Sequence, residues 1–211
     1  MEPPMTRRLG RPKRRLLTVF SGGDGFASAA TYGRARHTWE AAWSVENKPD
    51  MVVWWADEHG QDKCLGPYFT ETRDGVTTKG VYERLEDGEL HLGDIDCCVI
   101  TAPCTDFCEV NPEAQGESGN QGRLFASVPA FIRLLRRRHK VKSYALEEAQ
   151  ECLNSKIVND PSNGIIATLR KTNHWVAHGT VQFLRCGVPT TRARLGMVAA
   201  SAEHMKRPGP F

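Results

Sequence analysis

No apolar run in the sequence approaches the roughly 20 residues that a membrane-spanning helix needs. The charged, proline-bearing N-terminus lacks the apolar core of a secretion signal. Seven cysteines are too few for a disulfide scaffold in 211 residues, and an odd number leaves one unpaired. No internal repeat is visible. These absences set aside secreted, membrane-spanning and solenoid architectures. They point to a reducing intracellular compartment, either a nucleus or the cytoplasm of a bacterium or of a virus-infected host. A composition 40% hydrophobic and 25% charged suits one globular domain with short tails.

Net charge is small, +3, but it is unevenly spread. Arg7, Arg8, Arg11, Lys13, Arg14 and Arg15 crowd the first residues among Pro3, Pro4 and Pro12, so residues 1–15 read as a basic disordered arm. The stretch from Val45 to Asp96 is acidic. Basic character returns at Arg133, Arg136, Arg137, Arg138, Lys140 and Lys142, and again at Arg170, Lys171, Arg185, Arg192, Arg194, Lys206 and Arg207. Blocks of one sign suit a polarised surface facing a phosphate backbone, and equally suit solvated helix faces.

Hydrophobic patterning predicts an α/β chain over residues 16–205, followed by a short tail over 206–211. Leu16 to Phe20 reads as a strand running into the loop Ser21-Gly22-Gly23-Asp24-Gly25, and Phe26 to Tyr32 as a helix. Ala41 to Val45 and Met51 to Ala56 read as strands. Residues 57–94 carry turn signals at Asp74-Gly75 and Asp87-Gly88 and have no firm pattern. Ile95 to Thr101 is the clearest strand, apolar on both faces. Leu124, Phe125, Val128, Phe131, Ile132 and Leu135 share one helical face, with Pro129 predicting a kink or a late start. Val141 to Glu147 reads as a strand, Ile165 to His178 as a helix, Val181 to Leu184 as extended and Leu195 to Ala199 as a final strand. Such alternation implies a mainly parallel sheet with helices on both faces.

Three places carry chemistry. A glycine loop between a strand and a helix lets backbone N–H groups approach a ligand, and an acid ending the next strand can hold ribose hydroxyls; Gly22, Gly23, Gly25 and Glu46 fit that pattern, which packing alone also produces. Cys104 follows Pro103 at the carboxyl end of the central strand, where open α/β sheets place their sites, and is a candidate nucleophile. Cys97, Cys98, Cys152 and Cys186 read as inert core thiols. Glu147, ending its strand, is a candidate acid or hydrogen-bond partner beside Cys104, with Glu148 reading as a capping or surface acid. Zinc is the competing reading of Cys97, Cys98, Cys104 and Cys108 with His174 and His178. The sequence has no Cys-x-x-Cys pair, and Cys97 and Cys98 point to opposite faces of one strand, so no metal site is expected. A cysteine hydrolase is a weaker alternative, since no His is placed to activate Cys104.

The ordered set Phe20-Ser21-Gly22 with Gly25-Phe26, Glu46, Pro103-Cys104 with Phe107, Leu124-Phe125, Glu147, and Gly187-Val188-Pro189 with Arg192 and Arg194 resembles the DNA cytosine-5 methyltransferase family. The resemblance spreads from about residue 16 to residue 200. It implies the Rossmann-like sheet of S-adenosyl-methionine-dependent methyltransferases. It further implies cofactor contacts from Phe20, Gly22, Gly25, Glu46, Pro103 and Leu124, a nucleophile at Cys104, a cytosine-holding acid at Glu147, and active-site cations at Arg192 and Arg194. The implied partner is DNA, or RNA. Thr105, Glu148-Ala149, Thr190 and Asp24 depart from the family pattern. The chain stops soon after the paired arginines, before the family's target-recognition region and final motifs. Expectations are therefore a second chain that supplies recognition, a decayed copy that only binds, or a core acting alone.

Overall fold

The computed structural model describes residues 12–22, 25–32, 38–107, 111–172, 174–182 and 193–201. The residues of the predicted arm before 12, the expected tail 206–211, Gly23, Asp24, Cys108, Cys186, the Gly187-Val188-Pro189 stretch and Arg192 lie outside them.

The elements run β1 Arg14–Val19, α1 Gly25–Tyr32, β2 Trp39–Val45, α2 Pro49–His59, β3 Glu71–Arg73, β4 Val76–Thr78, α3 Val81–Glu86, β5 Cys97–Ile100, α4 Asn120–Arg138, β6 Ser143–Ala149, α5 Lys156–Asn159, α6 Ile165–Lys171, β7 His174–Gln182 and β8 Ala193–Ser201. Six strands form one sheet in the order β2-β1-β5-β6-β8-β7. The first four are parallel, and β8 pairs antiparallel with both β6 and β7. The α/β fold expected from the sequence is present. β3 and β4 form a separate hairpin whose turn residues, Asp74 and Gly75, both have positive φ, the backbone that such a two-residue turn requires.

Strand alternation divides the core into two layers. Leu17, Val19, Cys98, Ile100, Tyr144 and Leu146 face the α4 side, where Phe125, Val128, Phe131, Ile132 and Leu135 pack against them. Leu16 and Val99 face the other way, against Ala27, Ala30 and Trp55 of α1 and α2. The predicted face of α4 is thus its buried face, and the helix continues through Pro129.

Three expectations change. Met51 to Ala56 lies inside α2 and is not a strand: Pro49 opens the helix, Asp50 sits in its first turn, and Gly60 closes it at φ 104°. These end signals override the β-prone Val52-Val53-Trp54-Trp55. The helix read over residues 165–178 ends at Lys171, and His174 begins β7. His174 and His178 are therefore four residues apart on a strand, about 13 Å at strand rise, and cannot share a metal ion. Finally, β1 starts at Arg14, so Arg14 and Arg15 belong to the sheet and not to the arm. Their guanidinium groups lie over Trp39 and Trp43, and the Arg15 amide donates to Asp96. Among the described residues no helix is long and apolar enough to cross a membrane.

Candidate active site

Register brings the site together. Val19 is level with both Val45 and Ile100, and Ile100 with Leu146. The residues just past that line share one edge: Phe20 to Gly22, Glu46, Thr101 to Cys104, and Glu147 with Glu148. β2 and β5 flank β1 on opposite sides, so the strand order reverses between β1 and β5, where open α/β sheets leave a crevice. Thr101 ties the two lips by donating its hydroxyl to the Phe20 carbonyl at 2.7 Å.

On the β1–β2 side, Glu46 is 5% exposed and accepts three backbone N–H groups: Gly22 at 2.7 Å, and Asn47 and Lys48 at 2.8 Å each. A carboxylate offers about four acceptor positions. Donors among the described residues thus fill three of these, leaving one for a further donor. Gly22 holds φ +50°, and no described atom lies within 4 Å of a Cβ built on Gly22 or Gly25, so there is room for a ligand against the backbone. Phe20 also adopts positive φ, 59°, and packs on the fully buried Tyr68 with ring centroids 4.6 Å apart. Tyr68 in turn donates its backbone N–H to Asn47 Oδ1 at 2.9 Å. Neither Tyr68 nor Asn47 stood out in the sequence. An Asn directly after a strand-ending acid was the available signal.

On the β5–β6 side, Cys104 is half-buried in the turn that leads to Phe107, whose ring meets Phe125 edge-on at 5.6 Å. Leu124, also half-buried, packs against the same cluster. The buried carboxyl set against Cys104 is that of Glu148, the neighbour of the expected Glu147. β6 extends to Ala149, and its two-residue period sends the neighbouring glutamates to opposite faces. Glu148 shares the buried face of Leu146 and is 1% exposed. Its oxygens are sealed from solvent and lie within reach of the Ala102 N–H and the Cys104 thiol, though neither contact has full hydrogen-bond geometry. Burial pushes this carboxyl well above the usual range. The charge of Glu147 adds to the rise, and the Ala102 N–H, Cys104 and Arg194 oppose it in part. Burial thus favours the protonated form of Glu148.

Glu147 takes the other face, where its Oε1 lies 3.0 Å from Arg194 Nε. The structure thus unites two of the sequence candidates, Glu147 and Arg194, one layer away from Cys104. Burial pushes the thiols of Cys64, Cys97 and Cys98 up, which suits the inert role read for the latter two. Among the described residues no three His, Cys, Asp or Glu side chains converge on a metal position.

Asp106, which the sequence reading passed over, anchors the thiol turn. The N-cap of α4 is Gly119, with no side chain to cap the helix. Asp106 Oδ2 does so from the thiol turn, accepting from Gln121 N at 2.8 Å and Gly122 N at 2.9 Å. A Cβ on Gly119 would lie 2.1 Å from that oxygen, so only glycine admits the contact. Asp106→Ala is expected to lower stability by about 1–2 kcal/mol and to slow any chemistry at Cys104 while leaving ligand binding at Glu46 intact. Urea melts and titration of the Glu46 side check this, and an unchanged melt contradicts it.

No protein-family model matches the sequence, and no curated protein matches it. Solved structures do. A Dnmt2 methyltransferase of S. pombe superposes with a TM-score of 0.61 at 14% identity, covering 94% of this chain and 51% of the other. A triple-substituted DNMT2 of Spodoptera frugiperda gives 0.61 at 15% identity, covering 93% and 52%. The Entamoeba histolytica methyltransferase EhMeth gives 0.62 at 12% identity, covering 93% and 56%. The chain spans about half the length of these neighbours. Over nearly its whole length the chain shares the α/β fold of these methyltransferases.

Proposed function

We propose that the protein transfers a methyl group from S-adenosyl-methionine to C5 of cytosine in DNA, with RNA as the alternative substrate. The observation that carries this reading is a half-buried thiol, Cys104, set against a buried carboxyl, Glu148, on the edge that also holds the Gly22 loop and Glu46. The resemblance of the ordered motifs adds to it.

The residues fit the cofactor. Open space beside Gly22 and Gly25 and the remaining acceptor of Glu46 suit a nucleoside, with Phe20, Pro103 and Leu124 as apolar walls. Bound there, the cofactor supplies an electrophilic methyl group on a sulfonium. Cytosine C5 is too weak a nucleophile to take it unaided. The Cys104 thiolate, its proton given up to solvent, adds to C6 and forms an S–C6 bond, while Glu148 hands a proton to the ring nitrogen N3, so that no charge is left on the ring. The resulting enamine has a nucleophilic C5, and the cofactor, held by Gly22, Gly25 and Glu46, would supply the methyl group to it and leave as the thioether. Loss of the C5 proton to solvent and expulsion of the thiolate restore the double bond, and N3 returns its proton to Glu148. The base must leave its stack to reach this edge. The Glu147–Arg194 pair acts through Glu148: its carboxylate helps to keep that neighbour protonated. Arg192 is assigned to the same entrance on the resemblance alone. Recognition of flanking sequence is assigned to a partner chain or to residues outside the described fold.

Calorimetry with S-adenosyl-methionine tests the cofactor half of this reading. Glu46→Ala is expected to weaken binding at least about tenfold, the value of one or two charge-assisted hydrogen bonds. Glu46→Gln, which keeps the shape, should fall between. Binding equal in all three proteins would move the cofactor elsewhere. A second reading, a nucleic-acid-binding subunit with little turnover, is separated by the adduct measurement below.

A further inference from the structure

The basic block on α4 has no part in the site above. Arg133, Arg136 and Arg137 line a cavity of about 450 Å³ together with Lys171 of α6. The rest of its wall includes Ser162, Asn163, Thr168 and Thr172, which carry hydroxyl or amide groups, and the ring of Tyr82. Arg133 is steered inward by a 3.2 Å bond to Thr168 Oγ1, and Lys171 is steadied by donating to the Ser162 carbonyl at 2.7 Å. Among the described residues no carboxylate lines this cavity. Glu83 and Glu86 act on Tyr82 from α3 and Asp160 acts on Lys171, but among the described residues none of the four cations forms a salt bridge. Cations held this close repel one another, an arrangement that an anion would relieve. A second hollow of similar size adjoins on the other side of α6, sharing Lys171 and lined by Arg170, His178 and the carboxylate of Asp160.

We propose that this cavity grips a backbone phosphate of the nucleic acid whose cytosine enters the site, several nucleotides from the target. The inference rests on the proposed nucleic-acid substrate. α4 sets the distance. Gln121, whose side chain meets Thr105 beside Cys104, and Arg133 to Arg137 are 12–16 residues apart, which is about 18–24 Å along a helix. That span equals about five to seven steps of a duplex strand.

The test uses the full chain and the double variant Arg137→Gln/Lys171→Gln, titrated by fluorescence anisotropy with a labelled duplex of about 20 base pairs between about 50 and 200 mM salt. Losing this phosphate contact is expected to reduce the slope of log affinity against log salt by roughly 0.9 in magnitude. S-adenosyl-methionine affinity and the melting temperature should not change. A cytosine trinucleotide, too short to reach the cavity, should bind both proteins alike. An unchanged slope, equal losses for trinucleotide and duplex, or no duplex binding by the unaltered protein would each overturn the proposal. Inorganic phosphate added at millimolar levels gives the other source its chance: if it saturates the cavity without competing with duplex, the ligand is a free phosphate and the proposal falls. Methyl transfer is not read here, so failure of the catalytic reading leaves a different signature: normal duplex binding and salt slope with no product.

Discussion

Glu148→Gln is expected to raise the stability of the protein at neutral pH while removing most of its activity. Burial, reinforced by the charge of Glu147, holds the Glu148 carboxyl well above its ordinary value. Above about pH 4.5 the unfolded chain gives up that proton and the folded chain keeps it, so folding binds a proton and loses stability as pH rises. The loss is about 1.4 kcal/mol for each pH unit until the folded-state value is reached, after which it levels off. Glutamine has no proton to lose. The variant and the unaltered protein should therefore melt together near pH 4 and separate as pH rises from there, with the variant the more stable. Turnover should move the other way. Glutamine can still hydrogen-bond to a ring nitrogen but cannot transfer a proton to it, and loss of a positioned acid costs roughly 10²–10⁴-fold. Urea melts across pH with parallel rate measurements check both halves. A stability difference independent of pH would mean that Glu148 is charged in the folded protein, and the acid role would fall with it.

Cys104→Ser is the second large effect, and it should be confined to chemistry. The hydroxyl is smaller than the thiol and a far weaker nucleophile near neutral pH, so turnover should fall by more than about 10³-fold. The side chain is half-buried at the end of the core, and the change removes no large apolar group, so stability should move by less than about 1 kcal/mol. Cofactor affinity should not change, because the Glu46 side of the crevice is built from other strands. Asp106→Ala should show the opposite balance, with a measurable loss of stability and a smaller loss of rate. Equal rates for Cys104→Ser and the unaltered protein would remove the thiol from the mechanism.

Much of the fold's first half was legible because its punctuation is local. β1 ends in glycines, β2 in an acid, and β5 in a Pro-Cys turn, and each apolar run is short. Two assignments failed where local signals conflict. The run Met51 to Ala56 favours a strand by composition, and only Pro49 and Gly60 at its ends reveal a helix. The pattern over 165–178 merges a helix with the strand after it, because β7 is an edge strand with one half-exposed face and no clean alternation. In the site, Glu46 and Cys104 were readable from their places after strands. Choosing between Glu147 and Glu148 was not, because a strand's phase is set by its partners, and an error of one residue turns every side chain to the other face. β6 read as ending at residue 147 drew attention to Glu147, whereas the strand runs on to Ala149 and buries Glu148. Asp106 was hidden for a different reason: its partners, Gln121 N and Gly122 N, are backbone groups brought close only by the folded turn.

The central claim is a covalent bond between Cys104 and cytosine C6 on the way to methylation at C5. An oligonucleotide with 5-fluorocytosine at the target tests it directly, because C5 then carries fluorine in place of the proton that must leave, and the adduct cannot collapse. Incubated with S-adenosyl-methionine, and with a partner chain where one is required, then denatured, digested and weighed by mass spectrometry, the protein is expected to yield a peptide containing Cys104 joined to a methylated fluorocytosine nucleotide. Cys104→Ser should yield none. An adduct on another residue, such as Cys108, or no adduct with any DNA or RNA substrate while S-adenosyl-methionine still binds, would contradict the account.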